Sequence, residues 1–250
     1  INTGKFAQEF LLMAMMEFDV IRLPDGYVQS SSIMPQKRNP VAVEHVRAIA
    51  SKALGQALGV LTSVHNTPFG DINDVEDDLQ PLIYGATRDA IRAVSLLGHT
   101  LDAAEFNIDR LRQRAGENFI TVTELADTIV RQDGLPFSRA HAICADCVKL
   151  ATEADGVITH DMLQAAASSI GHKLSLTAAD LEQALSPDNF VAVRTIHGGP
   201  APEETRSALA EQRVLQDTDK AWRDASGSRL ESAAKNLEVA VGAALHASRF

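Results

Sequence analysis

An all-α fold is what this sequence predicts: a bundle of long helices followed by a smaller helical domain. Three observations carry that expectation. Apolar residues recur at spacings of three and four along most of the chain. No segment sustains the Val/Ile alternation of a sheet strand. Ala and Leu, both strong helix formers, dominate the longest periodic stretch. Hydrophobic residues are 45% of the 250 and charged residues 22%, so the chain has apolar side chains enough for a core and is not a disordered one.

The first helix is expected over 6–18, from Phe6, Phe10, Leu11, Met13, Ala14 and Phe18, closed by the Leu-Pro-Asp-Gly turn at 23–26. Residues 27–40 are rich in Ser, Gln and Pro and show no period, so they read as a loop. Pro40 fits the first turn of the next helix, where a missing N–H costs nothing. That helix should span 41–64, with Val43, Val46, Ile49, Ala53, Leu54, Leu58 and Leu61 on its periodic positions. A loop at 65–74 contains Asn66, Pro68, Gly70 and Asp71, and another long helix follows over 75–101. Two helices of this size reach about 38 Å each. Such lengths suit elongated bundles that bury faces against other helices or other subunits, so oligomerisation is expected.

Beyond Phe106 the segments shorten. A helix from Thr121 or Thr123 through Arg131 should end before Gly134 and Pro136. Others follow over 138–155, 159–169 and 177–185, the last opening on a capping-box-like Thr-Ala-Ala-Asp. Helices at 202–226 and 229–246 complete the chain. The organisation is therefore a long-helix region over 1–104 that carries the loop at 27–40, a small helical domain over 105–205, and a helical tail over 206–250.

Charge and composition exclude several functions. Lys plus Arg is 23 against 33 Asp plus Glu, a net charge of −10, and no basic stripe tracks a phosphate backbone, so nucleic acid is not an expected partner. No apolar run reaches the ~18 residues of a membrane span. The run at 10–16 is stopped by Glu17 and Asp19. Cys144 and Cys147 cannot form a disulfide framework, which points to a reducing, cytoplasmic setting. Their CxxC lies in an apolar helical segment without a second pair, so both read as buried structural cysteines. The eight histidines show no HExxH, and neither a Walker loop nor a dinucleotide-binding glycine fingerprint occurs, so no metal or organic cofactor is expected. The chain opens on Ile1 inside a periodic helix, which reads as the interior of a longer protein.

The chemistry concentrates in residues 30–40, Ser-Ser-Ser-Ile-Met-Pro-Gln-Lys-Arg-Asn-Pro. Three hydroxyls, two amides, an ammonium and a guanidinium lie just before a helix start, where free backbone N–H groups favour anions. On composition alone a solvated serine-rich loop is the favoured reading. The order of residues favours more. From Ser31 to Pro40 it closely resembles the signature of the fumarase/aspartase superfamily, and the Ile-Met-Pro-Gln-Lys-Arg-Asn-Pro wording resembles the argininosuccinate lyase branch. So do the segments beginning at Glu124, Gly134, Leu185 and Arg194. The resemblance covers about residues 5–215 and corresponds to the C-terminal half of such an enzyme.

That resemblance implies β-elimination of an N-substituted aspartate, argininosuccinate or a related compound, to fumarate plus an amine. The small-molecule substrate would bind in a homotetramer whose sites are shared between subunits. By motif position Ser31 is the base that takes the Cβ proton, Lys37 neutralises the carboxylate of the carbanion intermediate, and Asn39 binds the same end. Glu44 matches the acid that orients a histidine from another subunit, and Ser32 and Gln36 join the substrate-binding set. A fumarase- or aspartase-type reaction, or an inactive structural homologue, are the alternatives. Two departures stand out. Ser30 replaces the usual glycine before the two serines. Asp71, Glu76 and Leu79 occupy positions where the argininosuccinate branch carries a Tyr, a Gln and a Lys, so Asp71 and Glu76 are expected to face the distal half of the substrate.

Overall fold

The computed structural model describes residues 1–70, 75–154 and 156–247, and among these it contains ten α-helices and four two-residue strands. The chain forms two compact units, residues 1–115 and 116–250.

The first unit holds α1 (Asn2–Met13), α2 (Val41–Ser63), α3 (Glu76–Ala103) and α4 (Ile108–Ala115). Its strands pair as two short antiparallel ribbons, β1 (Ile21–Arg22) with β4 (Glu105–Phe106) and β2 (Gln29–Ser30) with β3 (Arg38–Asn39). Two residues are too few to leave an alternation in the sequence, which is why none was expected. The α1 helix stops at Met13, short of the expected residue 18. The chain turns through Asp19, at φ +52, so that Val20 and Ile21 enter the core and β1 meets β4. That core consists of Ala7, Val20, Ile21, Leu23, Val43 and Val46.

Helices α2 and α3 pack antiparallel. Lys52 Nζ reaches Asp89 Oδ2 at 2.9 Å, Gln56 lies against Gly85, and Gly59 faces Leu82 at 3.4 Å from an added Cβ position. A Cβ on Gly85 would stand 2.7 Å from Gln56 Nε2, so the glycine makes room for the amide. As the numbers rise on α2 they fall on α3. The Asp89 carboxylate is wholly buried between Lys52, Arg92 at 2.9 Å and Arg88 at 3.7 Å. The hydrogen bond from Lys52 holds its carboxyl below the usual carboxylate value against the opposing effect of burial.

The second unit holds α5 (Val122–Asp133), α6 (Phe137–Glu153), α7 (His160–Ser169), α8 (Ala178–Leu185), α9 (Pro187–Ala192) and α10 (Pro202–Ala247). Leu125, Ile129, Ile143, Cys147, Leu163 and Leu176 form the centre of its core. Gly134 ends α5 in the left-handed region at φ +66, a conformation that costs glycine little. The capping box of α8 is present: Asp180 N–H donates to Thr177 Oγ1 at 3.2 Å, and Thr177 N–H donates to Asp180 Oδ2 at 2.8 Å. These bonds from Thr177 lower the Asp180 pKa. The tail is one continuous helix where two were expected. Gly227 and Ser228 stay helical, because an interior glycine costs only about 1 kcal/mol relative to alanine and the flanking Ala, Arg and Leu favour helix. No helix among the described residues is long and apolar enough to cross a membrane.

Candidate active-site loop

The signature segment is a seven-residue loop hung on a two-rung ladder. Gln29 pairs with Asn39 and Ser30 with Arg38. The Asn39 side-chain amide adds a bond to the Gln29 carbonyl at 3.1 Å. Ser30, where a glycine is usual, lies in the extended strand β2 and not among the positive-φ residues. A serine therefore fits without backbone strain.

Within the loop the Ser31 hydroxyl oxygen accepts two backbone N–H groups, from Ile33 and from Met34, both at 3.2 Å. Two donors aimed at one oxygen favour its negatively charged form. Ser31 is half-buried, while Ser32, Gln36 and Lys37 are exposed. The Lys37 backbone N–H closes a turn onto the Met34 carbonyl at 3.0 Å. Glu44 lies in the first turn of α2 with its side chain exposed, a position where the helix dipole favours an acid. Ser31, Ser32, Gln36, Lys37, Asn39 and Glu44 thus belong to one end of the α2–α3 hairpin.

Glu76 does not join them. It is the first residue of α3, exposed, at the other end of the hairpin. The antiparallel register sets it opposite the residue that follows α2 by two, about 30 Å from Glu44 at 1.5 Å per residue. Leu79, three residues on, is half-buried. Asp71 lies outside the described residues.

Two interactions could not be read from the sequence. Arg38 donates to the Asp25 carboxylate and, at 2.8 Å, to the Leu23 carbonyl. The Arg38 guanidinium holds the Asp25 carboxyl below its ordinary value. In the second unit the buried Glu124 receives Arg131 and, at 3.0 Å, Arg194. Arg194 also covers the Phe190 ring at 3.5 Å and donates to the Phe190 carbonyl. Gly199 closes the following turn where an added Cβ would stand 2.2 Å from the Arg194 carbonyl oxygen. The segments beginning at Glu124 and Arg194 each carried the family resemblance; their mutual ion pair, 70 residues apart, left no local signal. Cys144 and Cys147 are buried free thiols whose pKa values burial pushes up to about 12 and about 11, which makes them poor nucleophiles. Among the described residues no group of three or more His, Cys, Asp or Glu side chains could hold a metal ion.

Comparison with known proteins places this geometry. The family described as "Argininosuccinate lyase C-terminal" matches residues 119–192, and the one described as "Lyase" matches residues 1–55. Argininosuccinate lyase 2 of Agrobacterium fabrum is 38% identical over 244 residues, taking in 96% of this chain and 48% of that protein. The argininosuccinate lyase of Methanoculleus marisnigri is 36% identical over 240 residues, 94% of this chain and 48% of its own. The chain spans about half the length of the curated relatives it matches. Among solved structures, an EDDS lyase variant with bound fumarate superposes with a TM-score of 0.77 at 32% identity, over 88% of this chain and 44% of that one. A fumarate lyase:delta crystallin from Brucella melitensis reaches 0.51 at 28% identity, over 74% and 38%.

Proposed function

This chain belongs to the fumarase/aspartase superfamily, on its argininosuccinate lyase side, and from that premise we propose that it carries the catalytic loop of a carbon–nitrogen lyase. The reaction is β-elimination of an N-substituted aspartate to fumarate and an amine. The observation that carries this reading is the pair of backbone N–H groups on Ser31 Oγ. A serine hydroxyl is too weak a base at neutral pH unless its alkoxide is stabilised, and hydrogen bonds to the charged form do that.

In the proposed step Ser31 Oγ takes the Cβ proton. The electrons move onto the neighbouring carboxylate, where the Lys37 ammonium and the Asn39 amide balance the added charge. The C–N bond then breaks as the departing nitrogen takes a proton from a general acid supplied outside this chain, leaving fumarate and a neutral amine. Ser32 and Gln36 hold substrate, and Glu44 orients a histidine outside this chain. The fumarate bound in the EDDS lyase variant supports the fumarate-forming half of the reading.

The roughly 30 Å between Glu44 and Glu76 governs assembly. If Glu76 acts on the same substrate as Ser31, it acts from a different copy, so we propose a homotetramer with shared sites, working in the cytoplasm. Two acids and a leucine in place of Tyr, Gln and Lys favour an amine half richer in positive charge, or poorer in carboxylate, than arginine.

The test uses the longest polypeptide that carries this chain. Ser31→Ala should lower kcat by about 10²–10⁴-fold while substrate affinity stays within a few-fold. An inactive Ser32→Ala beside an active Ser31→Ala would overturn the assignment. Run in reverse with fumarate and a panel of amines, followed by loss of fumarate absorbance, the enzyme should prefer a diamine. Arginine as the clearly best amine would defeat the specificity reading, and no turnover with any amine would defeat the lyase reading itself.

A further inference from the structure

The signature loop is tied to the body of the first unit by the Arg38 side chain. Its stem has only two backbone rungs, Gln29 with Asn39 and Ser30 with Arg38, too few to hold a hairpin rigid alone. Arg38 adds a second attachment. Its guanidinium spans from the Asp25 carboxylate, at the start of a single 3-10 turn (Asp25–Tyr27), to the Leu23 carbonyl. Leu23 is only 5% exposed and belongs to the same core as Val20, Ile21, Val43 and Val46. An exposed loop is thereby fastened to a buried segment through a planar fork, which a lysine could not reproduce.

We propose that Arg38 is the positioning residue of the signature loop: its two-point hold on Asp25 and Leu23 sets the stem from which the neighbouring Lys37 and Asn39 present to the substrate. The proposal rests on the reading of this loop as the catalytic segment. Along an extended stem consecutive side chains alternate between faces. Holding Arg38 on the face of Asp25 and Leu23 turns Asn39 to the other, and Lys37 enters the strand from the turn closed on the Met34 carbonyl. The side chains of Arg38 and Asp25 are 42% and 90% exposed, and exposed ion pairs add little to global stability. Loss of the hold should therefore register in the loop and not in folding.

Two measurements on Asp25→Asn and Arg38→Lys decide it. On the 250-residue chain, trypsin should cut the Lys37–Arg38 bond at least about ten-fold faster in Asp25→Asn than in the parent, with Tm unchanged. Arg38→Lys should be cut as readily. In the longest polypeptide that carries the chain, Asp25→Asn and Arg38→Lys should lower kcat by about ten- to a hundred-fold, as expected for a slight misplacement of reacting groups, with KM changed far less. Unchanged nicking in Asp25→Asn overturns the proposal, and so does faster nicking with unaltered kcat. If the parent itself shows no turnover, the lyase reading fails, and the nicking series alone then decides whether Arg38 holds the loop.

Discussion

In residues 116–250 the short helices close over Leu125, Ile129, Ile143 and Leu163, all fully buried. In residues 1–115 the two longest helices leave Leu58, Leu61, Tyr84, Ile91 and Val94 each more than half exposed. The first pattern is a core completed within one chain. The second is a face of long helices left open among the described residues of its own unit, and an apolar surface of that kind marks an interaction site. The candidate catalytic residues fall on the unfinished side. The difference teaches where each job resides: the small helical domain buries a core of its own, whereas the α2–α3 hairpin, on the proposal of shared sites, would supply parts that other copies complete. The long α10 resembles the hairpin in this respect, with Leu209, Trp222, Leu230 and Leu237 open to solvent.

Substitution would sharpen the contrast. Leu163→Ala removes a fully buried side chain from the second unit and should cost about 2–5 kcal/mol, through lost burial and the cavity left behind. Leu58→Ala, on the open face of α2, should change the stability of the monomeric chain by less than about 0.5 kcal/mol yet weaken self-association. Denaturant melts and sedimentation on both variants check this, and an equal loss of stability would erase the distinction. A smaller effect is expected at the α8 cap. Thr177→Ala removes the side-chain acceptor for Asp180 N–H and should cost about 1 kcal/mol, read as a shift in denaturation midpoint without loss of association.

The smallest effect near neutrality concerns the thiols. Burial pushes Cys144 up to about 12 and Cys147 up to about 11, whereas an unfolded thiol ionises near 8.5. Folded-state values raised in this way stabilise the fold fully below the unfolded value, and the contribution is lost as pH climbs toward the folded values. Alkylation at pH 7.5 should therefore be slow in the native chain and fast in denaturant, and the second unit should lose stability steadily above about pH 9. Rapid native alkylation at pH 7.5 would contradict the packing of α6.

Much of this contrast was legible in the sequence, for local reasons. Pro40 announced the start of α2, Thr177 and Asp180 announced α8, and Gly134 announced the end of α5, because each acts on the backbone beside it. The run Ser31 to Pro40 announced the candidate site because its residue order is specific. What escaped depends on contacts between distant segments. The ends of β1 and β4 are 83 positions apart, and that pairing cuts α1 short. Arg38 finds Asp25 only after the chain doubles back, and Glu124 finds Arg194 across most of a domain. Gly227 misled in the other direction, since a local helix breaker was outweighed by the helix formers around it. The separation of Glu76 from Ser31 was equally hidden, because it follows from the antiparallel register of α2 and α3 and not from either motif.

That separation carries the central claim, that each site draws on more than one copy. Mixing two variants of the longest polypeptide carrying this chain tests it most directly: Ser31→Ala, altered at one end of the hairpin, and Glu76→Lys, altered at the other. Each alone should have little turnover. After co-refolding, hybrid assemblies should contain sites in which an intact Ser31 from one copy faces an intact Glu76 from another, so activity should rise above either parent. Activity no greater than the mean of the two parents would contradict shared sites and return Glu76 to the role of an ordinary helix-start acid.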